Sequence, residues 1–310
     1  MDIVGKRYLY FAISLAVIVP GMIALILWGL PLAIDFTGGS LLEVRFENGA
    51  PPPEKIIALY QEFGIGDPTV QTATGNTIIV RSKSMDEETM NKLVKAMEER
   101  FNSPVEILQF SNVGPSVGKE VAERAAGAVA LSAIAILLYI TYAFRGVPHA
   151  VRYGTAAIIA MLHDVSVTVG VEAILGHYLH WEADAMFLTA LLTIIGFSVH
   201  DSIVVFDRIR ENSRRYRRLP YEKLVNHSIV QTLDRSINTQ LTVMLTLLTL
   251  ALFGGVTIRH FVIILLVGIF SGTYSSIFNA APILVVWENR EWRCWIKGKL
   301  KCTGEEAAAN

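Results

Sequence analysis

Residues 186–206 read MFLTALLTIIGFSVHDSIVVF, an apolar run carrying a single carboxylate, Asp201. About 20 apolar residues cross a hydrocarbon core roughly 30 Å thick, so this stretch is long enough to span a bilayer. An ionisable group at that depth costs roughly 2.5–3.5 kcal/mol on insertion scales, which marks it as functional and sets a search for its partner.

Composition agrees with a membrane reading. The 310 residues are 52% hydrophobic and 18% charged, with a mean hydropathy of +0.44. A soluble domain carries about 25% charge. The depletion falls in blocks, with apolar runs at about Tyr8–Leu30, Val121–Phe144, Val151–Leu175, Met186–Phe206, Ile229–Phe253 and Phe261–Trp287. Each has the length of a membrane helix. Pro20-Gly21 should kink the first helix without breaking it, because neighbouring helices can satisfy the freed backbone groups. MDIVGKRYLYF runs into that first span with no small-residue cleavage site, so it reads as a retained helix.

Basic residues set the orientation. Arg208, Arg210, Arg214, Arg215, Arg217, Arg218 and Lys223 lie between spans four and five, and Arg290, Arg293, Lys297, Lys299 and Lys301 follow the sixth. Lys6 and Arg7 precede the first. The third connection, GHYLHWEAD, has no lysine or arginine, and the fifth has only Arg259. Positive residues stay inside, so both termini are expected in the cytoplasm and the first long loop outside. With a net charge of −1, the chain offers no global attraction to nucleic acid. Cys294 and Cys302 both lie in the C-terminal tail and have no histidines at ligand spacing, which excludes a zinc site.

The outside loop, residues 35–112, has soluble composition. LLEVRF alternates as a strand, and PPEKIIALYQEF is helical with prolines at its start. PTVQTA and TIIVRS are strands joined through Thr74-Gly75-Asn76. DEETMNKLVKAMEERF is an amphipathic helix with acid first and base last, and VEILQF closes as a strand. The order β-α-β-β-α-β is the ferredoxin-like arrangement. The expected fold is an α-helical polytopic membrane protein of six transmembrane helices, with an extracytoplasmic α+β ferredoxin-like domain between helices one and two. Its parts are residues 1–34 (cytoplasmic N-terminus and first helix), 35–112 (the outside domain), 113–287 (helices two to six) and 288–310 (cytoplasmic tail).

Depth counting suggests a partner for Asp201. It lies six residues before Asp207, where the fourth span exits, and Arg235 lies six after Ile229, where the fifth enters. At about 1.5 Å per residue both sit about 9 Å inside the boundary, so an ion pair is geometrically possible. Arg235, Thr239, Thr242, Thr246 and Thr249 share one helix face, either as lining for a hydrated path or as hydrogen-bonding glue between helices. Asp201 is either one half of a fixed salt bridge or a carboxylate whose charge switches as its surroundings alternate. Asp164, in MLHDVSVTVG, either extends the relay or is held by His163 or Ser166. His200 reads as an interface residue and Glu172 as solvated near the outer end. Gly268, Gly272, Ser276 and Asn279 form a small-residue face for close helix packing. The arginine cluster reads mainly as a topology determinant that contacts lipid headgroups.

GPSVGKE, residues 114–120, is one residue short of a phosphate loop and puts Glu120 where the hydroxyl should be. G-x-S-x-G, H-E-x-x-H and paired CxxC motifs do not occur. A self-contained enzyme is not expected, so work must draw on an ion gradient or a partner.

In chain order DFTGG (Asp35–Gly39), VGPSVGKE, HDV, GFSVHDSIVVFDRIREN (Gly196–Asn212), TLDRSINTQ and GTYSSIFNAAP together resemble the SecF subunits of the SecD–SecF protein-export complex, a family of the resistance-nodulation-division superfamily. The resemblance covers nearly the whole chain. It implies one six-helix half of a pseudo-twofold assembly with SecD supplying the other, association with the SecY channel complex, and proton-motive-force-dependent assistance to a translocating polypeptide. It places the family's intramembrane aspartate on Asp201 and its fifth-helix arginine on Arg235. His200 departs from the smaller or amide residue frequent in relatives. No cofactor is implied beyond the gradient itself; the coupling ion implied is the proton, and these residues do not exclude sodium. The setting implied is the cell membrane. A non-conducting scaffold of the translocon and a superfamily exporter of small molecules or lipids are the competing classes.

Overall fold

The computed structural model describes residues 1–291 except Thr74 and Pro148, with the side chains of Val256 and Thr257 also left aside. The two cysteines and the basic tail beyond Glu291 lie outside the described residues. Six helices among those described are long and apolar enough to cross a membrane. They are α1 (Arg7–Trp28), α5 (Pro115–Ala143), α6 (Ala150–Leu179), α7 (Ala185–Arg215), α8 (Tyr221–Phe253), and a sixth span running through α9 (Val256–Ser275), a π-helical turn (Ser276–Ala280) and α10 (Ala281–Glu288). Several outrun their apolar runs. The fifth begins at Tyr221, two turns before the first residue of its expected span, so α7 and α8 form a helical hairpin closed by residues 216–220.

Two compact units result, residues 32–127 and the rest of the chain. In the smaller unit a one-turn helix α2 (Ile34–Thr37) precedes β1 (Gly39–Phe46), α3 (Pro53–Glu62), β2 (Thr69–Ala73), β3 (Thr77–Ser82), α4 (Glu87–Phe101) and β4 (Val105–Val113). The sheet order β2-β3-β1-β4, antiparallel throughout, is ferredoxin-like. Alternation sends Leu42, Val44 and Phe46 of β1 and Ile78 and Val80 of β3 into one core with Ile56, Leu59, Leu93 and Met97 from the helices. Asp86 caps α4 by accepting from the Thr89 amide at 3.0 Å, and Asn102 ends the helix in the left-handed region.

In the bundle, close approach replaces hydrophobic drive. The backbones of α1 and α6 touch at Gly21 and Gly170, where a Cβ on Gly21 would lie 2.9 Å from the Gly170 Cα. A Cβ on Gly268 would fall 2.1 Å from Ile194 Cδ1, so this glycine lets α9 meet α7. Asn279, in the π-helical turn, exchanges hydrogen bonds with Ser14 of α1, and Ser276 of the same turn is buried. The expected packing face is thus used by α1, α6 and α7 at different heights.

Arg7, which precedes the first span, is also tied into the bundle. It is buried, donating to Glu291 at 2.5 Å and to Glu222 at 2.8 Å, and Tyr8 also bonds Glu291. Asn226 accepts from the Ile3 and Val4 amides. The N-terminus is thereby tied to α8 and to the end of the sixth span.

Candidate functional site

Two polar stripes run along α8, about 100° apart round the helix, one buried and one exposed. Ser228, Thr232, Ser236 and Gln240 recur every fourth residue and are all buried. Arg235, Thr239, Thr242, Thr246 and Thr249 lie on the exposed side, and each threonine hydroxyl donates to the carbonyl four residues back in its own helix. Among the described residues no other helix bonds these threonine hydroxyls.

The buried stripe meets α7. Asn212 donates to Ser228 at 2.9 Å near the hairpin turn. Eleven residues further up α7, Asp201 accepts from the Gln240 side-chain amide at 2.8 Å. Asp201 is 2% exposed. Its hydrogen-bond partner is therefore Gln240, in place of the expected Arg235. The discrepancy is five residues, or about 7.5 Å of helix. Counting from the hairpin turn gives Arg235 as well, since Asp201 lies 14 residues before Arg215 and Arg235 lies 14 after Tyr221. The pairings Asn212–Ser228 and Asp201–Gln240 show instead that α8 packs on α7 with a stagger, which the lengths of the runs do not reveal.

A neutral amide suits a carboxylate whose charge changes. Gln240 Nε2 donates to the ionised form, while its Oε1 is buried without a partner. Rotating the amide would offer that oxygen to the O–H of a protonated Asp201. Ser236 Oγ and Ser198 Oγ are likewise buried and unpartnered.

Asp164, fully buried on α6, is the second member. Its Oδ1 accepts from Ser271 at 2.8 Å and lies 2.9 Å from His163 Nδ1, and its Oδ2 accepts from Ser275 at 2.7 Å. His163 is thus the contact that sequence suggested. Ser166 instead bonds the Leu162 carbonyl. Sequence reasoning missed Ser271 and Ser275, although their four-residue spacing within GTYSS and just before it was visible. Gly272 brings the two carboxylate sites together, for a Cβ there would lie 3.5 Å from Ser198 and 3.6 Å from Asp164 Oδ2. Ser198 is one turn from Asp201. The three helices α6, α7 and α9 therefore converge on a polar seam holding both acids, with no lysine or arginine bonded to either among the described residues.

Glu172 overturns its reading as solvated. It is fully buried, with Oε2 2.9 Å from His260 Nε2. The cause is helix length, since α6 continues to Leu179 and places Glu172 about two turns inside. His200 lies on the exposed side of α7.

Residues 93–290 match the family described as protein export membrane protein SecD/SecF, C-terminal, and residues 29–50 match the SecD/SecF GG motif, which contains DFTGG. A protein of Anaerolinea thermophila named protein translocase subunit SecF is 59% identical over 299 residues, 96% of this chain and 97% of its own. In Bacillus subtilis, protein translocase subunit SecDF is 36% identical over 94% of this chain but only 38% of that longer protein. The crystal structure of SecDF from Thermus thermophilus, titled a translocon-associated membrane protein, superposes with a TM-score of 0.80 at 34% identity, covering 94% of this chain and 39% of that one. The chain spans about two fifths of these SecDF proteins.

Proposed function

The chain belongs to the SecD/SecF family of protein export membrane proteins as a SecF-type translocase subunit, and on that premise we propose that it relays protons through Asp201 and Asp164 to assist polypeptide export. The second half of the assembly is a SecD partner, as the SecDF relatives that join both parts in one chain suggest. The pair sits in the cell membrane beside the SecY channel complex, with both termini cytoplasmic and the α+β domain outside, as the arginine-rich α7–α8 connection favours.

The observation that carries this reading is an acid 2% exposed on a membrane-spanning helix, bonded by a neutral amide with an unused acceptor. A structural salt bridge would hold one charge state, whereas Gln240 can serve both. Arg235 and the threonines add support. A cation on the exposed face of a spanning helix is costly against lipid, so it wants a covering partner, and the SecD half supplies one. Movement of Arg235 toward the Asp201 carboxylate would favour its ionised form, and withdrawal would favour proton uptake. One charge crossing 100 mV yields about 2.3 kcal/mol, enough to shift a two-state equilibrium roughly fiftyfold. That shift moves the α+β domain so that an emerging chain is pulled or kept from sliding back. The coupling ion is the proton, and no resident cofactor takes part.

The test is completion of polypeptide translocation into vesicles holding the SecD–SecF pair and the channel complex under an imposed proton gradient. Asp201→Asn should abolish the gradient-dependent part while the pair still co-purifies. Unaltered completion would make the subunit a scaffold, and a response to a sodium gradient alone would replace the proton.

A further inference from the structure

Resting on the relay reading above, we propose that Glu172 and His260 form the port through which protons enter the seam from the bundle end opposite the arginine-rich connection. Glu172 is fully buried, and its Oε1 has no hydrogen-bond partner while its Oε2 faces the imidazole at 2.9 Å. A carboxylate oxygen left bare in an apolar interior is costly unless it is transiently completed by a proton or a water. The cluster at this end is Ala183, Phe187, Ala190, Ile194, Ile264 and Leu265. The imidazole is the one titratable side chain bonded to Glu172 among the described residues.

His260 differs from the buried acid in one respect that matters for proton transfer: its side chain is 19% exposed. It lies four residues into α9, near the start of the sixth span, against the Trp181 ring at 4.6 Å between centroids. Imidazole can both accept and donate a proton through its two ring nitrogens. A proton taken up from solvent leaves on Nε2, where the N–H bond breaks as an O–H bond forms at Glu172 Oε2, returning a neutral imidazole and a neutral acid. The Trp181 ring packs against the imidazole at a tilt of 48°.

The route onward is set by α6. Asp164, Thr168 and Glu172 follow at four-residue steps on one face, and all three are fully buried. Glu172 to Asp164 is about 12 Å along the axis, too far for a direct hand-off, so transfer runs over water recruited beside Thr168. From Asp164 the seam reaches Asp201 past Gly272 and Ser198. The port therefore supplies Asp164 first, which gives this second acid its place in the sequence of transfers.

Proton uptake by vesicles containing the SecD–SecF pair tests the port, with native protein and Asp201→Asn measured first to establish that flux exists and passes through the seam. Against that baseline Glu172→Gln, nearly isosteric, should cut uptake about tenfold or more, and Glu172→Asp should keep most of it. His260→Ala should lose uptake to a similar degree and regain it when imidazole is added on the His260 side, a recovery that a merely structural role would not show. Native flux from Glu172→Gln in an intact pair would overturn the port while leaving the Asp201 relay standing. Equal loss in Glu172→Asp, or no recovery with imidazole, would also overturn it.

Discussion

The α+β domain and the helical bundle both bury polar atoms without partners, and the contrast between them separates cost from use. In the domain one example is the Tyr60 hydroxyl, in the same core as Leu42, Ile56 and Leu93, where burial pushes its ionisation up and no partner bonds it among the described residues. In the bundle such atoms gather along one seam: Ser198 Oγ, Ser236 Oγ, Gln240 Oε1 and His163 Nε2 surround two acids, with Glu172 Oε1 beyond. A lone orphan is a packing compromise. Orphans that cluster around carboxylates are spare donors and acceptors that a changing protonation state can use.

The contrast can be broken or sharpened by substitution. The largest effect on stability is expected at the tie between the termini, where Arg7→Met strands the buried Glu291 carboxylate and should cost about 3–5 kcal/mol in thermal unfolding of the detergent-solubilised chain. Adding Glu291→Leu should return part of that loss. Next, Leu93→Ala opens a cavity in the domain core and should cost about 2–5 kcal/mol, read as faster amide exchange in residues 39–113, with the Asp201-dependent flux of surviving folded protein unchanged. A smaller and more telling pair follows. Tyr60→Phe should stabilise by up to about 1 kcal/mol and leave transport alone, whereas Ser198→Ala with Ser236→Ala should stabilise by a similar amount yet slow proton uptake. Uptake at the native rate in that double variant would erase the distinction.

The smallest effect is electrostatic and confined to the domain surface. The hydrogen bond from Arg100, first among its influences, holds the Glu62 carboxyl below its ordinary value. A depressed carboxylate contributes stability that is present above its unfolded pKa and lost as pH falls through the folded one. The acid limb of the domain's unfolding should therefore shift to slightly higher pH in Arg100→Gln, with no change near neutrality beyond the loss of a weak exposed pair.

What could be read without coordinates follows from these physical differences. The strands of the domain were legible because a half-buried sheet forces alternation, and LLEVRF and TIIVRS obey it. The six spans were legible because lipid demands long apolar runs. Inside the bundle the same signal fails, since helices α6 to α9 are apolar on most faces and only polar residues mark direction. On α8 two polar stripes have the same periodicity, and nothing local says that Ser228 to Gln240 turn inward while Arg235 to Thr249 turn out. Lengths misled as well. Helices continue past their apolar stretches, which buried Glu172, and a stagger of α8 against α7 moved the partner of Asp201 from Arg235 to Gln240. Ser271 and Ser275, which hold Asp164, carry no signature beyond their spacing, because a serine pair on a small-residue face looks the same whether it packs or bonds.

The central claim is that Asp201 takes up and releases a proton while buried. The most direct measurement is acidification of the lumen of vesicles holding the SecD–SecF pair under an imposed potential, native against Asp201→Asn. The account predicts uptake by the native pair and none above empty vesicles for the variant, with the pair intact in both. Equal uptake by the two would contradict it.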